Sequence, residues 1–164
     1  MKELRNLYSQ ITYIVFLSTG VSIVFNQLRS NPLAYVKQKV EVISNLENLQ
    51  TESSEPTITG IDIKIAKELF DKNVLFIDAR AEEFYNDGHI PNAICSDDFD
   101  SLVEQLEKKI EIDEQFVVYC SDSDCGSSED LSYEFQSIGF SNILLFKGGW
   151  QEWVDADYPQ VQNE

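Results

Sequence analysis

The residue in this sequence whose type and placement most invite chemistry is Cys120. It follows Phe116 to Tyr119, four apolar or aromatic residues that read as a short buried strand. A polar loop containing Cys125 and Gly126 comes next, and a helical pattern begins near Ser127. Strand, tight loop and helix in that order aim a row of backbone N–H groups at one point in space. A sulfur at that point lies in the positive end of the helix dipole, which favours the nucleophilic thiolate over the thiol. Cys120 is therefore the candidate nucleophile. Asp122 and Asp124 oppose this by raising the thiol pKa and repelling a dianionic substrate. Capping of the loop and the following helix is an equally good role for them.

The elements that must position this loop are legible as alternating patterns. Strands are expected at 57–59, 74–77, 93–94, 116–119 and 143–146. The helices between them carry apolar faces at Ile65, Ala66, Leu69 and Phe70, at Leu102, Val103, Leu106 and Ile110, and at Leu131, Phe135 and Ile138. Asp62 is placed to cap the first of these helices. Gly139 stops the third, and Gly148-Gly149 opens a last helix bearing Trp150 and Trp153, read as core anchors three apart on one face. Repeated strand–helix units with short connections imply an α/β domain, a mainly parallel sheet with helices on both faces. Ligands of such sheets bind beyond the carboxyl ends of the strands, where Cys120 falls.

Ahead of this domain the chain changes character. Residues 6–28 form a run of 23 without a charged side chain, about 34 Å long as a helix and enough to cross a bilayer core. No small-x-small cleavage site follows it, and it has no clear polar face, so it reads as a retained single-pass anchor rather than a signal peptide or a core helix. Basic residues flank it almost evenly, with Lys2 and Arg5 before and Arg29, Lys37 and Lys39 after, so its orientation is left open. The short N-terminal tail leans toward export of the globular part. Val36, Val40, Ile43, Leu46 and Leu49 suggest a short amphipathic juxtamembrane helix. The expected organisation is thus 1–30 tail and anchor (membrane through 7–28), 31–56 juxtamembrane segment and linker, and 57–164 the globular domain.

Charge narrows the partners. Residues 1–55 hold five basic and five acidic side chains, so the whole net charge of −17 falls on residues 56–164. Such a surface repels nucleic acid and anionic headgroups, and no nucleic-acid partner is expected. Three cysteines leave one over in any disulfide framework. A zinc site would need all three plus His89, the sole histidine, without CxxC spacing, so neither metal nor cofactor is expected.

Several short motifs in order resemble one family. Asp78-Ala79-Arg80, then Gly88-His89-Ile90-Pro91-Asn92-Ala93, the strand-end Cys120, Gly139-Phe140, and Gly148-Gly149-Trp150 with Trp153 and Tyr158-Pro159 are similar to the rhodanese (sulfurtransferase) domain. The likeness covers residues 57–159. It implies a five-stranded α/β domain whose cysteine carries a persulfide between a sulfur donor and a thiol acceptor, each a small molecule or a protein. The loop Ser121, Asp122, Ser123, Asp124, Cys125 and Gly126 would then bind substrate. Asp78, Arg80 and His89 would be structural near the site, with Asp78 and Arg80 as an internal ion pair. The loop departs from the family by being longer and by lacking a basic side chain. Cys125 shares this loop, so its sulfur could reach a Cys120 persulfide, releasing sulfide and leaving a disulfide; an uninvolved thiol fits the same spacing. Two further readings stand beside sulfur transfer. One is an inactive rhodanese-like module that binds a partner at the membrane. The other is a cysteine phosphatase of related fold, for which the loop lacks the cationic clamp.

Overall fold

The computed structural model describes residues 2–28, 42–43 and 57–162. The chain divides into two compact units, Met1–Lys39 and Val40–Glu164. The described residues of the first form one helix, α1 (Lys2–Leu28). Its stretch Tyr8–Leu28 is long and apolar enough to cross a membrane. Large side chains such as Tyr13, Phe16, Phe25 and Leu28 are exposed, whereas a core helix would bury one face. The hydroxyls of Thr12, Ser18 and Thr19 donate back to carbonyls one turn earlier, on Tyr8, Val15 and Phe16. That leaves no hydroxyl of the three seeking an outside partner.

The second unit is built on a parallel sheet of β1 (Val42–Ile43), β2 (Thr57–Ile61), β3 (Leu75–Asp78), β4 (Phe116–Tyr119) and β5 (Asn142–Phe146), in the order β1-β2-β5-β4-β3. Every pairing is parallel. Around it lie α2 (Ile63–Asp71), α3 (Glu82–Asp87), α4 (Phe99–Glu107), α5 (Ser127–Ser137) and α6 (Gly149–Asp155). Side chains alternate across the sheet with the two-residue period of a strand. Phe76, Val117, Tyr119, Leu144 and Phe146 join Ile65, Leu69 and Trp153 on one face. Ile77, Phe116, Val118 and Ile143 join Leu102, Leu106, Phe135 and Phe140 on the other. Both faces are covered, which is why β4 and the stretches Leu75–Ile77 and Ile143–Phe146 read as unbroken apolar runs.

Asp62 caps α2 as expected, its carboxylate accepting from the N–H groups of Lys64 and Ile65 at 3.0 Å each. Gly139, at φ +110°, ends α5 in a backbone conformation that a side chain would strain. Trp153 is fully buried among Phe70, Phe76, Phe146 and Tyr158, and its indole N–H donates to Pro159 O at 2.8 Å.

Three expectations are corrected. Residues 93–94 are not a strand: Ile94 makes a single bridge to Ile77 beside β3, bonded through Asp78 N–H and Phe76 O. The fifth strand is instead β1, four full-length strands being joined at the far edge by Val42 and Ile43, which pair with Gly60 and Ile61. That segment was expected to be helical from its three- and four-residue spacing, but the β-branched pair at its centre fits an open sheet edge better; the rest of the segment, 29–41 and 44–56, lies outside the described residues. Finally, Ile138 is exposed at the end of α5 rather than on its buried face.

Candidate functional site

β4 lies between β3 and β5, so its last residue delivers Cys120 to the middle of the sheet's carboxyl edge. There the chain must leave the sheet and enter α5, and α6 fixes how it does so. The N–H of Trp150 donates to Cys120 O and the N–H of Gln151 donates to Ser121 O, each at 2.8 Å. These donors belong to the first turn of α6, whose N–H groups have no partner within the helix. Such close approach is possible because residue 149 is glycine. A Cβ there would lie 2.5 Å from Cys120 O and 2.9 Å from Asp122 N, and its φ of +63° is one that side chains strain to adopt. The Gly148-Gly149-Trp150 motif is thus the seat of the cysteine loop.

Beyond this seat the loop closes on itself. Asp122 Oδ1 accepts from Asp124 N–H at 2.9 Å, and Asp122 O accepts from Cys125 N–H at 3.3 Å. Asp122 therefore shapes the loop. Neither it nor Asp124 caps α5, whose N-cap is Gly126 without a side-chain hydrogen bond. The turn brings Cys125 back onto Cys120. Their Cα atoms are 6.2 Å apart and the two sulfurs are joined as a disulfide. The spacing alone left the separation of the two sulfurs open; the turn brings them within bonding distance. Cys120 is buried, whereas Cys125 is half-exposed at the loop surface. Of the other loop residues, Ser121 is half-buried and Asp122, Ser123, Asp124 and Gly126 are exposed.

Beneath the loop lies a buried ion pair. Arg80 Nε and Nη2 donate to the Asp78 carboxylate, at 2.6 Å for the shortest contact, and Nη2 also donates to Gly88 O at 2.7 Å. Burial works against the guanidinium's charge, but the Asp78 hydrogen bond and charge outweigh it and raise the pKa further. The guanidinium sits 4.9 Å from the centre of the Trp150 ring. Trp150, half-buried, packs against the same core cluster as Trp153 and in addition bridges ion pair and loop. Arg80, committed to Asp78, Gly88 and Trp150, is unlike a substrate-binding arginine. His89 stacks on Tyr85 at 3.8 Å, and its Nδ1 lies 2.9 Å from Tyr85 O, so Nδ1 carries the proton and donates. Its backbone pairs with Val161. His89 thus ties the chain's C-terminal segment to the domain and is engaged away from the loop sulfurs.

Sequence reasoning missed Lys147 and the role of Gly149. Lys147 precedes the glycine pair and reaches Glu129, in the first turn of α5, at 3.5 Å. Basic residues elsewhere in the sequence look alike until folding places one beside the loop's helix. Cys95 is the remaining thiol, donating to Arg80 O at 3.2 Å. Burial, with the nearby charges of Asp78, Asp97 and Glu82, pushes its pKa up to about 12.

Two outcomes follow from this geometry. Gly149→Ala should destabilise the domain by about 1–3 kcal/mol through its strained φ, more with the clash, and should change the alkylation rate of the reduced loop cysteines. Gly126→Ala, where a Cβ meets only a flexible carboxylate at 4.0 Å, should stay within about 0.5 kcal/mol of the parent by denaturant unfolding. Because the protonated form of Cys95 persists until pH approaches about 12, its thiolate fraction at pH 8 is on the order of one in ten thousand. Iodoacetamide labelling of Cys95 in the folded chain should therefore remain slow at pH 8 and accelerate only as pH rises further, or on unfolding, as read by peptide mass mapping.

Comparison with known proteins agrees with this architecture. Residues 62–156 match the model of the rhodanese-like domain family. An uncharacterized protein of Buchnera aphidicola subsp. Baizongia pistaciae is 31% identical over 97 residues, which cover 56% of this chain and 63% of that protein. The chain thus spans less than two thirds of that relative's length. Among solved structures, the Alr3790 protein of Anabaena sp. superposes with a TM-score of 0.52 at 23% identity, covering 62% of this chain and 79% of that one. A thiosulfate sulfurtransferase from Pseudomonas aeruginosa superposes with a TM-score of 0.54 at 17% identity, covering 72% of this chain but 22% of the other. At such identities the structures establish a shared fold. With the family match covering more than half of its length, and the cysteine loop and its seat inside the matched stretch, this chain belongs to the rhodanese-like domain family.

Proposed function

We propose that this protein is a membrane-tethered sulfurtransferase that carries sulfane sulfur as a persulfide on Cys120. In the reduced protein the Cys120 thiolate attacks the outer sulfur of a donor, and the donor's remaining group departs with the bonding electrons. The persulfide sulfur then passes to a thiol or cyanide acceptor. The observation that carries this reading is the direction of the loop's peptide groups. The carbonyls of Cys120 and Ser121 are turned onto α6, and because the peptides are trans, the N–H groups of Ser121 and Asp122 face the opposite way. With the start of α5, whose N-cap Gly126 carries no side chain, they supply donors to retain an anionic sulfur. Arg80, beside Trp150, and Lys147, beside the first turn of α5, are already paired with Asp78 and Glu129. A neutral or protein-bound donor suits such a site better than a free dianion. Tyr8–Leu28 is the proposed anchor.

One observation favours a second reading, a partner-binding module without activity: Cys120 is buried and bonded to Cys125. Intact-mass measurement separates the two. The full-length, reduced Cys125→Ser protein, left with one loop sulfur, should gain the mass of one sulfur atom from thiosulfate, 3-mercaptopyruvate or a protein persulfide, and lose it to cyanide. Cys120→Ser should gain none. No gain in Cys125→Ser with any donor contradicts sulfur transfer and leaves the docking module.

A further inference from the structure

The pairing of Cys120 with Cys125 deepens the sulfur-transfer reading, on which the following step rests. We propose that Cys125 is a resolving thiol that converts the Cys120 persulfide into free sulfide, so that the protein releases sulfur reductively at the expense of a dithiol reductant. The bond joins Sγ of Cys120 directly to Sγ of Cys125. Of the two sulfurs in a persulfide on Cys120, the inner one is this same Sγ. Attack there by the Cys125 thiolate forms the Sγ–Sγ bond and breaks the bond to the outer sulfur, which leaves with the electron pair and takes a proton as hydrogen sulfide. The outer sulfur is reduced to sulfide and the two cysteine sulfurs are oxidised to the disulfide, so atoms and electrons balance. The protein product of that step is the Cys120–Cys125 disulfide, the bond this loop geometry accommodates.

The loop is built for this reach. Asp122 draws in the N–H groups of Asp124 and Cys125, turning the chain so that Cys125 lies back over Cys120 with a Cα separation of 6.2 Å. The far side of Cys120 is held by α6, so Cys125 can approach without the loop leaving its seat. The direction of the return step follows from exposure. Cys120 is buried and Cys125 half-exposed, so a dithiol reductant meets Cys125 first. The mixed disulfide forms on Cys125, and Cys120 leaves as the thiolate beside the start of α5, ready for the next donor. The second reductant thiol then frees Cys125 as the reductant closes to its own disulfide. Cys95 takes no part, since its thiol is held protonated against Arg80 O.

The test is a single turnover on full-length protein in detergent, reduced, freed of reductant and kept anaerobic, with thiosulfate or 3-mercaptopyruvate as donor. Their other products are sulfite and pyruvate, so any sulfide reports resolution. The unmodified chain should release close to one sulfide per chain and finish two hydrogens lighter, with Cys120 and Cys125 joined in one peptide map. Cys125→Ser and Cys125→Ala should keep the added sulfur and release sulfide at least tenfold more slowly. A donor-free control should stay reduced. If the unmodified chain holds its added sulfur as long as the Cys125 variants do and releases no sulfide, the resolving role is overturned while sulfur transfer stands. If the Cys125 variants take up no sulfur and the unmodified chain forms no sulfide, both fall together.

Discussion

Two backbone hydrogen bonds, from Trp150 and Gln151 to the carbonyls of Cys120 and Ser121, join the last helix of the domain to the loop that follows its central strand. Much of the molecule is arranged so that they can form. Gly149 must lack a side chain to let the helix approach. Trp153 anchors the same helix in the core, where Phe70, Phe76 and Phe146 surround it. Trp150 spreads its ring over Arg80, and Arg80 is fixed in turn by Asp78 at the end of β3 and by Gly88 O. The carbonyls of a loop leaving a sheet would otherwise need water or a side chain, and a mobile loop could not keep its amides converged. Rigid support from helix and strand holds this short polar loop in one geometry.

Electrostatics acts on this framework in a selective way. The start of α5 and the loop amides offer partial positive charge at short range, whereas the domain as a whole is strongly acidic. Screening confines the acidic surface to about 8 Å at physiological ionic strength, so it governs approach rather than the contact itself. Lys147 and Arg80, each committed to a carboxylate, do not offset it. The net effect disfavours the approach of small dianions and favours neutral molecules or surfaces of complementary charge.

Much of this fold is legible in the sequence because its central strands are buried on both faces and read as continuous apolar runs, as in β4 and in Ile143–Phe146 of β5. Helix ends marked by Asp62 and Gly139 are legible for the same local reason, a capping carboxylate and a positive φ. β1 is not legible, since two residues carry no periodicity and their partners on β2 lie across a long intervening segment. The strand-end position of Cys120 can be read from residue types. Its bond to Cys125 cannot, because loop spacing permits many separations and only the Asp122 turn selects one. Trp150 and Trp153 look equivalent at a three-residue spacing, and both pack on one core, yet Trp153 is fully buried whereas Trp150 also meets Arg80 from the segment after β3, a distinction that exists only in three dimensions.

The cysteine loop is held in place by α6 rather than by the disulfide. Amide hydrogen exchange at Trp150 and Gln151 in the reduced full-length protein tests this most directly. If the seat is intrinsic to the fold, both amides remain protected to the same order as those of β4 and β5 after Cys120 and Cys125 are parted. Exchange at the rate of unstructured loop amides once the disulfide is reduced would contradict this account.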